Sequence, residues 1–146
     1  MPNSLYVPPP GLTVRPATRE EFATAIDWAA AEGWNPGLDD LEAFFAADPR
    51  GFWMAWKDGA PVSCISVVRV SAEFGFLGFY IARPEARGTG CGLAIWEAGM
   101  HYLGERTVGL DGVPAQQDNY RRSGFEWVGR NVRFTGALRA LPEAGP

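Results

Sequence analysis

Arg87-Gly88-Thr89-Gly90-Cys91-Gly92 is the segment of this chain whose residue types and spacing could do chemistry. It follows an apolar, aromatic run, Phe74 to Ala82, that reads as a strand. It precedes Leu93, Trp96, Met100 and Leu103, which share one face of a helix. Glycines at a strand-to-helix turn let an anion approach the backbone N–H groups, and the helix N-terminus adds favourable potential. A phosphate or pyrophosphate is the natural guest; the plainer reading is a turn whose glycines only meet steric needs. A P-loop needs a lysine beside its last glycine, and Lys57 is the only lysine of the chain, which excludes that motif. A Gly-x-Gly-x-x-Gly dinucleotide fingerprint begun at Gly88 and Gly90 meets Leu93 at its third glycine position. The strands before it are also antiparallel in pattern, so this motif fits poorly.

The elements around the turn change period twice. Leu12 to Arg15 alternates as a short strand, and Thr18 opens a capping box with Glu21 three residues later. Phe22, Ala25, Ile26 and Ala29 continue at helical spacing until Gly33. After the tight loop Trp34-Asn35-Pro36-Gly37, Leu38, Leu41, Phe44 and Phe45 mark a second short helix. Phe52 to Lys57 and Val62 to Val70 read as strands joined by the hairpin signal Asp58-Gly59. Beyond the helix that follows the turn, Thr107 to Asp111 reads as a strand and Pro114 to Ser123 as a helix closed by Gly124. Phe125 to Gly129 and Val132 to Leu138 read as two closing strands. The expected order is β-α-α-β-β-β-α-β-α-β-β, an α/β fold with a mixed, mostly antiparallel sheet and one parallel crossover. One domain over residues 12–138 is expected, with a flexible Pro-rich leader at 1–11 and a frayed tail at 139–146.

Composition narrows the function. At 146 residues and 47% hydrophobic, the chain can bury a sizeable core, which argues against disorder. Its 13 basic against 17 acidic residues leave a net charge of −4, and the arginines are dispersed. A nucleic-acid partner is therefore not expected. No apolar run approaches the ~20 residues of a membrane span, and the start does not read as a signal peptide. Two cysteines and one histidine cannot build a four-ligand zinc site, so no metal is expected. A reducing, cytoplasmic setting is the default.

Arg87 to Gly92 matches the (Gln/Arg)-x-x-Gly-x-(Gly/Ala) signature, and the chain resembles the GNAT acyltransferase superfamily. The stretch Leu12-Thr-Val-Arg-Pro-Ala-Thr-Arg-Glu-Glu-Phe22 is similar to that family's first strand and helix entry. Tyr120-Arg-Arg-Ser-Gly-Phe125 is similar to its Tyr-x-x-x-Gly-Phe close. The resemblance runs from Leu12 to about Leu138. It implies a GNAT-like fold with helices on both faces and acetyl-CoA as co-substrate. It implies that Arg87, Gly88, Thr89, Gly90, Cys91 and Gly92 grip the pyrophosphate, and that the main chain of Tyr80, Ile81 and Ala82 holds the pantetheine arm. The asparagine common in the family seven residues before the tyrosine is here Val113, with Gln116 or Asn119 as its candidate replacement. The segments Glu32-Gly-Trp-Asn-Pro-Gly and Leu110-Asp-Gly-Val-Pro-Ala-Gln-Gln resemble a branch that often carries a second, GNAT-like C-terminal domain. The chain ends where that domain would start. Its acceptor pocket is then expected to be more open, or to be completed by a second subunit; a homodimer is a possible assembly.

Amide formation from a thioester needs a neutral amine, a polarised carbonyl and a protonated leaving thiolate. The resemblance sets Tyr120 beside the thioester sulfur as the candidate acid, the alternative being a packed aromatic. Asp111 is the first candidate base, with a plain turn residue before Gly112 as its other reading, and Glu73 follows as a solvated loop residue. Trp34 and Asn35 are the candidate acceptor contacts. His101 reads as surface or boundary filler, and Cys91 as packing. The expected function is N-acetylation of a small amine or amino acid by direct attack in a ternary complex. The alternative is a non-catalytic acyl-CoA-binding or regulatory module.

Overall fold

The computed structural model describes residues 7–137. The chain divides into two compact units, Met1–Leu110 and Asp111–Pro146. Residues 1–6 of the expected 1–11 leader, Leu138, and the whole expected 139–146 tail lie outside the described residues.

The first unit holds one sheet in the order β1-β2-β3-β4-β5. Its strands are β1 (Leu12–Pro16), β2 (Phe52–Lys57), β3 (Ala60–Arg69), β4 (Phe74–Ala82) and β5 (Thr107–Leu110). Neighbours pair antiparallel except β4 and β5, which are parallel. The turn between β2 and β3 has Asp58 at φ 50° and Gly59 at φ 76°, both left-handed, as the two-residue hairpin requires. Helix α1 (Arg19–Ala31) starts on the full capping box: the Glu21 N–H donates to Thr18 Oγ1 at 3.2 Å, and the Thr18 N–H donates to Glu21 Oε2 at 2.9 Å. Arg15, on β1, donates two parallel hydrogen bonds to the same carboxylate, at 2.9 and 2.8 Å. The Arg15 hydrogen bonds, then the Thr18 N–H, hold the Glu21 carboxyl down at about 2.

Two cores sandwich the sheet. On one face Phe22, Ala25 and Ala29 of α1 and Leu41 of α2 (Asp40–Ala47) pack with Phe52, Met54, Cys64, Val68 and Ile81. On the other face Ile95 and Leu103 of α3 (Cys91–Leu103) pack with Ala55, Ile65, Val67 and Leu77. β3 is covered on both sides, which explains why its apolar residues run on instead of alternating.

The second unit, among its described residues, contains a short 3₁₀ turn at Pro114–Gln116 and α4 (Gln117–Arg122), with Ser123 as C-cap and Gly124 following it at φ 92°. The element order through α4 follows the sequence reading. The two closing strands expected at 125–129 and 132–138 are not seen among the described residues: 125–137 carry no strand, and Trp127, Val128, Val132 and Phe134 are exposed. The period-2 pattern there names two faces, but a strand exists only where a ladder partner takes up its backbone groups.

Candidate active site

The Gly-rich turn lies between β4 and α3, as its sequence implies. A 3₁₀ turn at Pro84–Ala86 leads into it, and Gly88 (φ 74°) and Gly90 (φ 88°) hold left-handed backbone. A Cβ on Gly88 would meet nothing within 4 Å, so space lies open on that side of the loop. Gly90 is the N-cap of α3 and brings no side-chain cap, and the first turn of this 13-residue helix has no acidic residue. The first turn thus brings no carboxylate of its own to the positive end of the helix dipole, which favours an anion there. Thr89 Oγ1 donates to the Ala86 carbonyl at 2.6 Å and ties the loop to itself. The buried Ser63 hydroxyl on β3 donates to the Cys91 carbonyl at 3.0 Å and fixes the helix start against the sheet.

β4 supplies the other wall. Its ladder with β5 ends at Leu77 opposite Leu110, while β4 runs on to Ala82. Against β3 the register passes from Ser66↔Gly78 to Cys64↔Ile81, so Phe79 and Tyr80 together face the single residue Ile65. This is a β-bulge, and Phe79 stands in it at φ 46°. Bulged strands re-aim side chains and backbone, and they recur at functional sites. The Tyr80 ring leans toward α3: its centroid is 5.2 Å from that of Trp96, and a Cβ on Gly92 would lie 3.3 Å from its hydroxyl.

Arg87 links three segments. Its Nε donates to the Ala82 carbonyl at 3.0 Å, and its Nη2 pairs with Glu32, the C-cap of α1. Glu32 precedes the loop of Trp34 and Asn35; the Trp34 N–H donates to the Ala29 carbonyl at 3.0 Å, and Asn35 adopts φ 48°. Trp34 is half-buried against the α1 core, whereas Asn35 is exposed. The first unit therefore gathers Tyr80, Ile81, Ala82 and residues 87–92 around one strand-to-helix turn. It tethers that turn, through Glu32, to the segment carrying Trp34 and Asn35.

Asp111, Asn119 and Tyr120 belong to the second unit. Asp111 accepts a hydrogen bond from Asn131 Nδ2 at 2.7 Å. Asn119 is engaged on both sides of its amide, donating to Gln116 Oε1 and accepting from Arg122 Nη2, each at 2.6 Å. Tyr120 is half-buried on α4, its ring edge-on to Phe125 at 6.2 Å, and burial raises its hydroxyl above the ordinary value. A raised phenol is a proton carrier at neutral pH, which an acid must be. Glu73 is exposed and bonded to Ser71, and His101 is exposed in the last turn of α3. Cys91 is buried, its Sγ 3.2 Å from Thr89 Oγ1. Among the described residues no group of three or more His, Cys, Asp and Glu could hold a metal ion, and no helix is long and apolar enough to cross a membrane. Sequence reasoning missed Glu32 as the partner of Arg87, Ser63 as the anchor of α3, and the bulge at Phe79. Glu32 stood in a quoted motif, but no sequence signal pairs it with a residue so far along the chain.

Residues 17–125 match the acetyltransferase (GNAT) family. The chain is 42% identical over 124 residues to holothin acyltransferase of Pseudoalteromonas sp. (strain SANK 73390), covering 85% of this chain and 42% of that protein. It is 29% identical over 130 residues to mycothiol acetyltransferase of Rhodococcus erythropolis (strain PR4 / NBRC 100887), covering 78% and 44%. The chain thus spans less than half the length of these curated relatives. Among solved structures, Ard1 from Thermoplasma volcanium aligns with a TM-score of 0.70 at 16% identity, over 82% of this chain and 85% of that one. A predicted acetyltransferase from Clostridium acetobutylicum, solved with acetyl-CoA, aligns with a TM-score of 0.66 at 14% identity, over 85% and 96%. At such identities the two structures speak to the fold.

Proposed function

Because the chain belongs to the acetyltransferase (GNAT) family, we propose that it moves an acetyl group from acetyl-CoA to the amine of a small molecule or amino acid, within a ternary complex. The single observation that carries this reading is the pair of left-handed glycines opening α3, a helix with no acidic residue in its first turn, beside a bulged strand. The likeness to holothin acyltransferase supports acyl transfer, and the solved neighbour holding acetyl-CoA supports the donor.

Residues 87–92 hold the pyrophosphate through their N–H groups, and the main chain of Tyr80, Ile81 and Ala82 receives the pantetheine arm. The donor brings an activated thioester. The acceptor nitrogen, deprotonated with help from Asp111 or a water, forms the C–N bond as the C–S bond breaks. Backbone N–H groups at the β4 bulge stabilise the developing oxyanion, and Tyr120 gives its proton to the leaving thiolate. Asn119 stands in for the family asparagine replaced by Val113. Trp34 and Asn35 contact the acceptor. The proposed setting is cytoplasmic, the proposed assembly a homodimer.

The test is release of free thiol from acetyl-CoA, followed across a panel of small amines and amino acids, with calorimetric titration of the donor alongside. Turnover of any amine supports the reading. Tight donor binding with no turnover across the panel would favour a non-catalytic acyl-CoA-binding module, and no donor binding would remove both readings.

A further inference from the structure

Resting on the acyltransfer reading, we propose that Cys64 is a positioning residue, its thiol proton holding the β4 bulge in the form the acyl group needs. At the bulge Phe79 has no partner of its own in the β3 register, and a backbone carbonyl at such an irregularity still needs a donor. Cys64 supplies it: Sγ lies 3.1 Å from the Phe79 oxygen, and the side chain is fully buried. Burial pushes this thiol well above its ordinary value, so the sulfur keeps its proton and stays a donor. The same burial makes it a poor nucleophile, which leaves positioning as the chemistry open to it.

A second contact works on the same residue. Phe79 adopts φ 46°, an outlier for a bulky side chain, and such backbone persists only where its surroundings over-determine it. Its ring meets Phe22 edge-on at 5.9 Å, and Phe22 is itself fully buried and set against Phe52 at 4.8 Å. The α1 core therefore holds the ring while β3 holds the carbonyl. Between them they set the orientation of the peptide that joins Phe79 to Tyr80. That peptide leads into the stretch of β4 beyond the β5 ladder, where Tyr80 reaches the first turn of α3.

The experiment compares Cys64→Val, which keeps apolar bulk and removes the donor, with Cys64→Ser, which keeps a donor. Turnover of acetyl-CoA and hydrogen exchange of the 74–82 segment in the free protein are both measured. Cys64→Val should lower kcat at least ~10-fold, leave the affinity for CoA within about threefold, and speed exchange in β4; Cys64→Ser should recover most of each loss. Parent-like kcat and exchange in a folded Cys64→Val overturn the proposal. Equal losses in the two variants, tracking only the fall in thermal midpoint, overturn it as well, because they describe packing alone. A parent without turnover on any amine sinks the acyltransfer reading instead, and the proposal falls with it; β4 exchange then shows separately whether Cys64 still holds the bulge.

Discussion

Gly90→Ala places a single methyl where the backbone stands at φ 88°, immediately before the first turn of α3. An L-residue held in left-handed backbone costs about 1–2 kcal/mol. For a chain of this size each kcal/mol lowers Tm by about 3–4 °C, so a fall of about 3–8 °C is expected. Relaxation of the strain would rotate the N–H groups of the loop away from the phosphate. One lost hydrogen bond to a charged acceptor is worth about 1.5–3 kcal/mol, or roughly 10- to 150-fold in affinity. Acetyl-CoA affinity, read by calorimetry, should therefore fall at least ~10-fold in a folded variant. Gly104→Ala is the internal control. Gly104 caps the other end of the same helix at φ 67°, with nothing within 4 Å of its would-be Cβ. It should lose stability and keep its affinity. If Gly90→Ala behaves like Gly104→Ala, the phosphate cradle lies elsewhere. If Gly90→Ala loses no stability, the left-handed backbone assignment is itself wrong.

Tyr120→Phe keeps the ring against Phe125 and removes only the hydroxyl; kcat should fall about 10²-fold with CoA affinity unchanged. Because burial raises this hydroxyl, the alkaline limb of kcat should lie above the ordinary tyrosine value of 10 and vanish in the variant, and a parent-like limb would remove Tyr120 from the mechanism. Glu21→Gln tests the capping box: the folded carboxyl sits at about 2, below its ordinary 4.5, so its contribution is complete above about 4.5 and lost as pH falls through about 2. Urea midpoints of parent and variant should differ at pH 7 and converge toward pH 2; a constant gap would show that the pairing with Arg15 and Thr18 is not the cause.

What could be read from the sequence was what local spacing encodes. Thr18 and Glu21 sit three apart and close a box that needs no other part of the chain, and Asp58-Gly59 carries its turn in its own φ values. The glycines of residues 87–92 were legible for the same reason. The bulge at Phe79 was not, since an extra residue on β4 becomes visible only once β3 fixes the register. Nor was the pairing of Glu32 with Arg87, which joins segments brought together only by the folded sheet. The stretch 125–137 shows the converse limit: Val132 and Phe134 alternate with polar neighbours, yet pattern without a ladder partner made no strand there.

Gly92, last in the glycine motif, is constrained by a neighbour as well as by the ligand proposed for it. A Cβ there would press on the Tyr80 hydroxyl at 3.3 Å and touch the Ala82 Cβ at 3.8 Å, both parts of the sheet beneath the helix. Its size limit is therefore set from below, by the strand, whatever occupies the loop above. An alanine needs the end of one tyrosine to give way by a few tenths of an ångström, whereas a valine would lift the first turn of α3 off β4. Trimming Tyr80 to phenylalanine removes the atom that sets the limit, so tolerance at position 92 and the identity of residue 80 form a compensating pair. A motif spelled in consecutive letters thus includes a contact with a strand twelve residues upstream, and substitutions at one position are to be judged only with the other in view.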